Sequence, residues 1–350
     1  MTVKVGIIGA GAIAQDHCAN IGRYKDARLV AVADLSRERR EEIRNTYGMD
    51  RAYEKWQDLV ADPAIDAVAI ALPNCLHAPA SLGAINAGKH VLLDKPFALN
   101  YREAKQVADA AKRKRKILMV GMNQRYRPDA QTLRTIVARK ELGEIYHVKV
   151  YWYRRMGSPK FGTWFVNKKL AGGGCLLDIG VHFLDLALYL IDNWEPVVVT
   201  GQVYSKLGPR GIGEGGWGKS DRNPKLVFDV DDFATGLIKF RNGATLELNV
   251  SWILHQEAED CNNVELFGTE AGAMLAPTRL FRLAKRRGEY EIVTPQNVKI
   301  PHRYTTRQAN WLDAIMGKDQ PLCTLQQSLV VQRILDAIYA SSAGGREIRL

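Results

Sequence analysis

The sequence predicts a doubly wound α/β domain on a parallel sheet, followed by an α+β domain with an open, mainly antiparallel sheet. Three observations carry this. Short, wholly apolar runs alternate with helical patterns over the first third of the chain, as buried parallel strands and their crossovers do. After about residue 122, β-branched and aromatic residues alternate with others, and turn dipeptides such as Asn242-Gly243 join the runs, as in antiparallel hairpins. At 350 residues, the chain is long enough for two cores.

In order, residues 3–8 form the first apolar run, followed by glycines and a helical stretch to residue 21. Residues 29–33 form a second strand ending at Asp34, and a charged helix over 36–47 follows, with Ser36 placed to cap it. Strands over 67–72, 90–93 and 117–121 are separated by helices over 78–87 and 101–114, a Rossmann-type arrangement filling residues 1–122. Residues 123–350 form the second domain: a helix over 128–140, a strand over 145–153, a helix over 176–191, and strands over 197–203, 232–240, 245–252 and 263–267. A last helix over 325–341 closes the chain and is free to pack back on the first domain. Residues 208–224 are glycine-rich and read as a long loop, a length that usually signals function or disorder.

With 46% hydrophobic and 25% charged residues, the composition is that of a globular protein and excludes a fibrous or disordered chain. Cys18, Cys75, Cys175, Cys261 and Cys323 form no CxxC pair, which fits reduced thiols in the cytoplasm and argues against a disulfide framework or a zinc site. No metal is expected. The apolar segment 3–14 is interrupted by Gly6, Gly9 and Gly11, unlike a secretory signal, and stretches such as 67–72 are too short to span a bilayer. The net charge of +11 suits an anionic cofactor or substrate as well as nucleic acid. Its densest run, Lys112-Arg113-Lys114-Arg115-Lys116, lacks interleaved aromatics and reads as the solvated last turn of a helix, where cations oppose the macrodipole. Neither nucleic acid nor membrane is expected as a partner.

Gly9-Ala10-Gly11-Ala12-Ile13-Ala14 is a G-x-G-x-x-A turn between strand and helix. Its glycines permit a tight turn and close approach of the backbone to a pyrophosphate, and the helix N-terminus supplies N–H donors. Asp34 stands where a carboxylate accepts from the adenosine ribose hydroxyls and repels a 2′-phosphate. This favours NAD over NADP, with Arg37, Arg39 and Arg40 read as surface residues of the next helix. Lys95, in Asp94-Lys95-Pro96, lies at the C-terminal edge of the parallel sheet. It reads equally as a proton donor to a ligand there or as a surface lysine. After the triple glycine Gly172-Gly173-Gly174, residues Asp178, His182 and Asp185 are spaced four and three apart, one stripe of a mostly apolar helix. Polar groups on such a helix need partners or a cavity, and a site is the favoured reading.

On these residues the chain resembles the Gfo/Idh/MocA oxidoreductases over essentially its whole length. The glycine turn, Pro73-Asn74 with His77, Asp94-Lys95-Pro96, the helix with Asp178 and His182, and the tail Ala337-Ile338-Tyr339-Ala340-Ser341-Ser342 carry the resemblance. It implies an NAD(H)-dependent dehydrogenase acting on a secondary hydroxyl of a sugar, a glycoside, a nucleotide sugar or inositol. Lys95, Asp178 and His182 match the family's catalytic set: His182 as general base, Asp178 orienting the substrate, and Lys95 polarising the reacting oxygen. The implied cofactor contacts are Gly9, Gly11, Ala12, Ile13, Asp34, Leu72, Asn74, His77, Asp94, Lys95 and Asn123. Asp94 stands where the family has glutamate, a shorter reach to the ribose. Arg154 and Trp164 join Lys95, Asp178 and His182 as substrate contacts. Arg154 suggests a phosphate or carboxylate on the substrate or a structural salt bridge, while Trp152 and Trp164 suit a sugar face or a core. The resemblance also implies a homodimer or homotetramer. The competing readings are an NAD-binding regulatory protein without turnover, which has no use for Lys95, Asp178 and His182 together, and a nucleic-acid binder, which rests on charge alone.

Overall fold

The computed structural model describes residues 2–216, 220–284, 288–300 and 304–350. Its first part alternates β1 (Val3–Ile8), α1 (Ala12–Gly22), β2 (Ala27–Ala33), α2 (Arg37–Tyr47), β3 (Arg51–Tyr53), α3 (Trp56–Ala61), β4 (Ala67–Ile70), α4 (His77–Asn86), β5 (His90–Leu93), α5 (Tyr101–Arg113) and β6 (Leu118–Val120). The strands form a six-stranded parallel sheet in the order β3-β2-β1-β4-β5-β6. Chain connections leave β1 and β4 in opposite directions, which opens a crevice at their C-terminal ends. Apart from exposed Lys4 in β1, both strands are apolar because helices cover both faces, and β4 is wholly buried. Ser36 caps α2, its hydroxyl accepting from Arg39 N. The last turn of α5 carries Lys112 and Arg113 into solvent.

The chain continues through α6 (Pro128–Ala138), β7 (Ile145–Arg154), α7 (Lys168–Ala171), α8 (Val181–Ile191), β8 (Pro196–Tyr204), β9 (Phe233–Phe240), β10 (Thr245–Ser251), β11 (Asp260–Gly268), β12 (Ala271–Met274), β13 (Arg279–Leu283), β14 (Tyr290–Val293), α9 (Arg307–Ile315), α10 (Leu325–Gly344) and β15 (Ile348–Arg349). These strands make a nine-stranded sheet, antiparallel except where β10 runs parallel to β7. Helix α8 covers one face, where Phe183 meets Trp152 at 4.9 Å between ring centroids. A row of rings, Tyr151, Tyr153, Phe233 and Tyr204, runs along the sheet with centroids 5.7–6.4 Å apart. Helix α10 packs on β8 and also on α5 and β6, bridging the two sheets.

The structure corrects several expectations. The short strands β3, β12, β13, β14 and β15 and the helices α3 and α9 were not anticipated, because runs this short carry too few periods to stand out. Segment 208–224 is not structureless: it holds a 3-10 turn at Gly208–Arg210 and a bridge from Glu214 to Ser158, while residues 217–219 lie outside those described. One apolar stretch is longer than expected. Lys168–Ile191 is long and apolar enough to cross a membrane by length and composition, yet 89% of that window is buried in the protein, as in a core helix.

The helix expected over 176–191 begins instead as a π turn, Leu176–Gly180, and becomes α-helical only from Val181. Such turns often mark functional positions. Asp185 does not share a stripe with Asp178 and His182. It is fully buried and makes a two-pronged pair with Arg125, Nε to Oδ2 at 2.8 Å and Nη2 to Oδ1 at 2.6 Å. Arg125 also donates to Leu322 O and Gln327 Oε1, and its guanidinium lies over the Tyr189 and Trp194 rings. The pair ties the turn after β6 to α8. Removing one partner leaves an uncompensated buried charge, so Asp185→Ala is expected to lower the unfolding free energy by about 3–5 kcal/mol. Urea melts measure this, and a loss under about 1 kcal/mol would deny the pair that structural role.

Candidate active site

The crevice between β1 and β4 is a cleft of about 600 Å³. Gly9 ends β1 with φ +94°, and a Cβ there would lie 2.3 Å from Ala71 O, so only glycine fits this crossing of two strand ends. At Gly11 a Cβ would meet nothing within 4 Å: the backbone faces open cleft at the first turn of α1. Gly9, Gly11, Ala12, Ile13, Asp34, Leu72, Asn74, Asp94, Lys95, Trp164 and Asp178 all line this space. An elongated ligand with phosphates at the α1 N-terminus fits these walls.

Asp34 is held rigidly. Its Oδ2 accepts from Ala10 N and its Oδ1 from Ser36 N, both at 2.8 Å, with Arg39 Nη2 at 3.5 Å. Arg39 is more than a surface residue of α2. It lines the cleft and also pairs with Asp221, which arrives from the segment after β8. Asn74 donates to Ala171 O at 2.8 Å, joining the end of β4 to α7.

Lys95 Nζ donates to Asp178 Oδ1 at 2.7 Å and to Asp178 O at 2.9 Å. The other carboxylate oxygen accepts from Trp252 Nε1 at 2.9 Å. Asp178 is thus clamped between the edge of the parallel sheet and a tryptophan just past β10. It also lines a second cavity, of about 440 Å³, with His182, Trp152, Arg154, Glu259 and Asp260. His182 is half-buried at this wall, and its Nδ1 is buried with no hydrogen-bond partner among the described residues. Burial, then the cations Lys95, Arg307 and Arg154, hold its imidazole well below the usual histidine range, so it is neutral at pH 7. Arg154 is a salt-bridge residue: its Nε reaches Asp260 Oδ2 at 3.3 Å and its guanidinium lies 4.6 Å from the Trp152 ring centroid. Trp164 stacks on Phe165 at 3.7 Å between centroids and faces the cleft rather than the second cavity.

Two residues singled out in the sequence lie elsewhere. His77 is buried behind the cleft wall, its ring nitrogens 2.7 Å from Pro96 O and 2.9 Å from Leu72 O, so it joins the two loops that flank the cleft. Asn123 opens the 3-10 turn Asn123–Tyr126 in an exposed position and is not among the lining residues.

Three others had no signal in the sequence. Trp252 read only as a strand end. Asp231 accepts from Gly174 N at 2.7 Å, Leu176 N at 2.9 Å and Tyr339 Oη at 2.7 Å, fixing the start of the helix that bears Asp178 and His182. A Cβ at Gly174 would lie 1.9 Å from Asp231 O, which accounts for that glycine. Arg307, on α9, is buried and faces Asp94 at 3.5 Å while donating to Gly121 O.

Comparison with known proteins agrees with this geometry. Residues 3–122 match the family described as oxidoreductase, NAD-binding Rossmann fold, and residues 130–274 match the GFO/IDH/MocA C-terminal domain. The D-glucoside 3-dehydrogenase of Escherichia coli is 30% identical over 99% of this chain and 97% of its own length. The glucose-6-phosphate 3-dehydrogenase of Bacillus subtilis is 34% identical over 76% of this chain and 72% of its own. A solved levoglucosan dehydrogenase, in complex with NADH, shares the fold with a TM-score of 0.84 at 24% identity, covering 100% of this chain and 99% of that one. The chain belongs to the Gfo/Idh/MocA family of oxidoreductases. It is an enzyme of the NAD-binding, dehydrogenase type.

Proposed function

We propose that the protein oxidises a secondary hydroxyl of a sugar, a sugar derivative or inositol, or reduces the corresponding ketone, in the second cavity. The observation that carries this is the placement of Asp178: one carboxylate lines both the cleft and the cavity, with Lys95 on it and His182 beside it. Gly9, Gly11, Ala12 and Ile13 would hold the pyrophosphate of NAD, Asp34 the adenosine ribose, and Asn74, Asp94 and Lys95 the nicotinamide end. Bound there, NAD supplies the two-electron acceptor for the hydrogen leaving the carbinol carbon. The hydroxyl loses its proton as that hydrogen departs, so a base within hydrogen-bond reach is needed. Neutral His182, which lines that cavity, takes that role. The Lys95 ammonium stabilises the oxygen as it becomes carbonyl, and Asp178, pinned by Trp252, orients the hydroxyl. NADH formation by purified protein with NAD and a panel of pyranosides and inositols tests this reading. Tight NAD binding with no turnover across the panel would overturn it.

The same reading places Asp34 as the group that selects NAD. Asp34→Ala removes a charged acceptor, so the Kd for NAD is expected to rise roughly 10- to 100-fold, and the gap to NADP to narrow as a 2′-phosphate no longer meets that carboxylate. Fluorescence titration measures both, and tighter NADP binding by the unaltered protein would contradict the assignment.

The half-buried row of rings on the nine-stranded sheet supports pairing of two copies through that face, as a dimer or a pair of dimers. Sedimentation equilibrium is expected to give twice or four times the chain mass, and a monomer would exclude it. The five unpaired cysteines suit the reducing cytoplasm as the place of action.

A further inference from the structure

We propose that the second cavity selects an uncharged polyol and discriminates against its phosphorylated counterpart. The inference rests on the dehydrogenase reading above and specifies its substrate class. A phosphate monoester needs a cation with free donors, or a ready anion-binding turn, to replace its water. Among the described residues, the lining of the cavity offers one cation, Arg154, against three carboxylates, Asp178, Glu259 and Asp260. That cation is shared with a carboxylate: Nε faces Asp260 Oδ2 at 3.3 Å, Nη1 donates to Gly157 O at 3.4 Å, and the guanidinium covers Trp152. Its stem is held as well, since a Cβ on Gly157 would lie 2.3 Å from Arg154 Cδ. The neighbouring cations face carboxylates of their own. Arg155 pairs with Glu259 at 2.8 Å and donates to Glu257 O, and Lys95 pairs with Asp178.

What the cavity does offer is acceptors. Asp260 takes hydrogen bonds from Trp152 Nε1 at 3.0 Å and from Asn262 Nδ2 at 3.2 Å, and its side chain is about half exposed, which leaves lone pairs for hydroxyl donors. Glu259 is more exposed still. A ring bearing several hydroxyls satisfies these oxygens. A phosphate dianion placed among them meets like charge in a partly desolvated site, and Arg154, whose charge is shared with Asp260, offsets that repulsion only in part.

The test compares kcat/KM, at saturating NAD, for methyl glucopyranoside and myo-inositol with that for glucose 6-phosphate and an inositol monophosphate. The uncharged compounds are expected to be favoured by about tenfold or more, the scale of one repulsive contact near a protein surface. Asp260→Asn, at a half-exposed position, frees Arg154 and should shift the ratio roughly tenfold toward the phosphates. A preference of the unaltered enzyme for the phosphorylated compounds would overturn the inference and leave the dehydrogenase reading standing. An unchanged ratio in Asp260→Asn would also overturn it. NAD binding without oxidation of either class would remove the dehydrogenase reading and this inference with it.

Discussion

His182→Ala is expected to lower kcat by roughly 10²–10⁴-fold, the span for losing an acid–base group, with NAD affinity near that of the unaltered enzyme. The separation follows from position: His182 lines the second cavity and not the cleft. Stopped-flow kinetics with parallel NAD titration measures both, and a variant with undiminished kcat would remove His182 from the reaction. The same residue sets a pH dependence. A base must be unprotonated to act, and burial with Lys95, Arg307 and Arg154 nearby drives protonation to lower pH than in free histidine. The acid limb of kcat/KM should therefore fall below pH 6.5, the ordinary value. A limb at or above that value that vanished in His182→Ala would contradict the stated surroundings of the ring.

Lys95→Ala has the second large expected effect, and it should harm both turnover and cofactor binding. Lys95 lines the cleft and holds Asp178 by two hydrogen bonds, so its loss removes the stabilising charge and leaves the carboxylate with only Trp252. A fall of roughly 10²–10³-fold in kcat is expected, as for removal of one donor to a developing charge, with a weaker Kd for NAD. Lys95→Arg keeps the charge but not the compact geometry and should recover cofactor binding better than turnover. Near-normal rates in Lys95→Ala would sink the proposed constellation.

The parallel sheet and the glycine turn were legible in the sequence because their signals are local: apolar runs of strand length, then Gly9, Gly11 and an acid at the end of the next strand. Asp178 and His182 stood out as polar residues on an apolar helix, whereas Lys95 at the sheet edge read equally as a surface lysine and was set beside them only by the resemblance. Their setting was not legible. The π turn at Leu176–Gly180 has no sequence signature, and it depends on Asp231, far along the chain, gripping Gly174 and Leu176. That turn and the Arg125 pair are why Asp185 leaves the stripe. Trp252 and Arg307 reach Asp178 and Asp94 only through tertiary packing. His77 was placed near the right loop, but the carbonyls of Leu72 and Pro96 decide which way its ring faces. Arg154 read equally as a contact for a substrate anion or as a salt-bridge residue, and Asp260 beside it makes the pair. Spacing along one chain does not report pairing between two strands.

The central claim is that the hydroxyl carbon and the cofactor meet across Asp178. Isotope tracing tests it most directly, using a pyranoside or inositol deuterated at the carbinol carbon and mass spectrometry of the reduced cofactor. The account predicts that each NADH formed carries the label from that carbon, and that labelled NADH accumulates far more slowly in Lys95→Ala. Saturable NAD binding in the cleft with no deuterium in the cofactor, across the whole panel, would contradict it and leave a protein that senses NAD without using it.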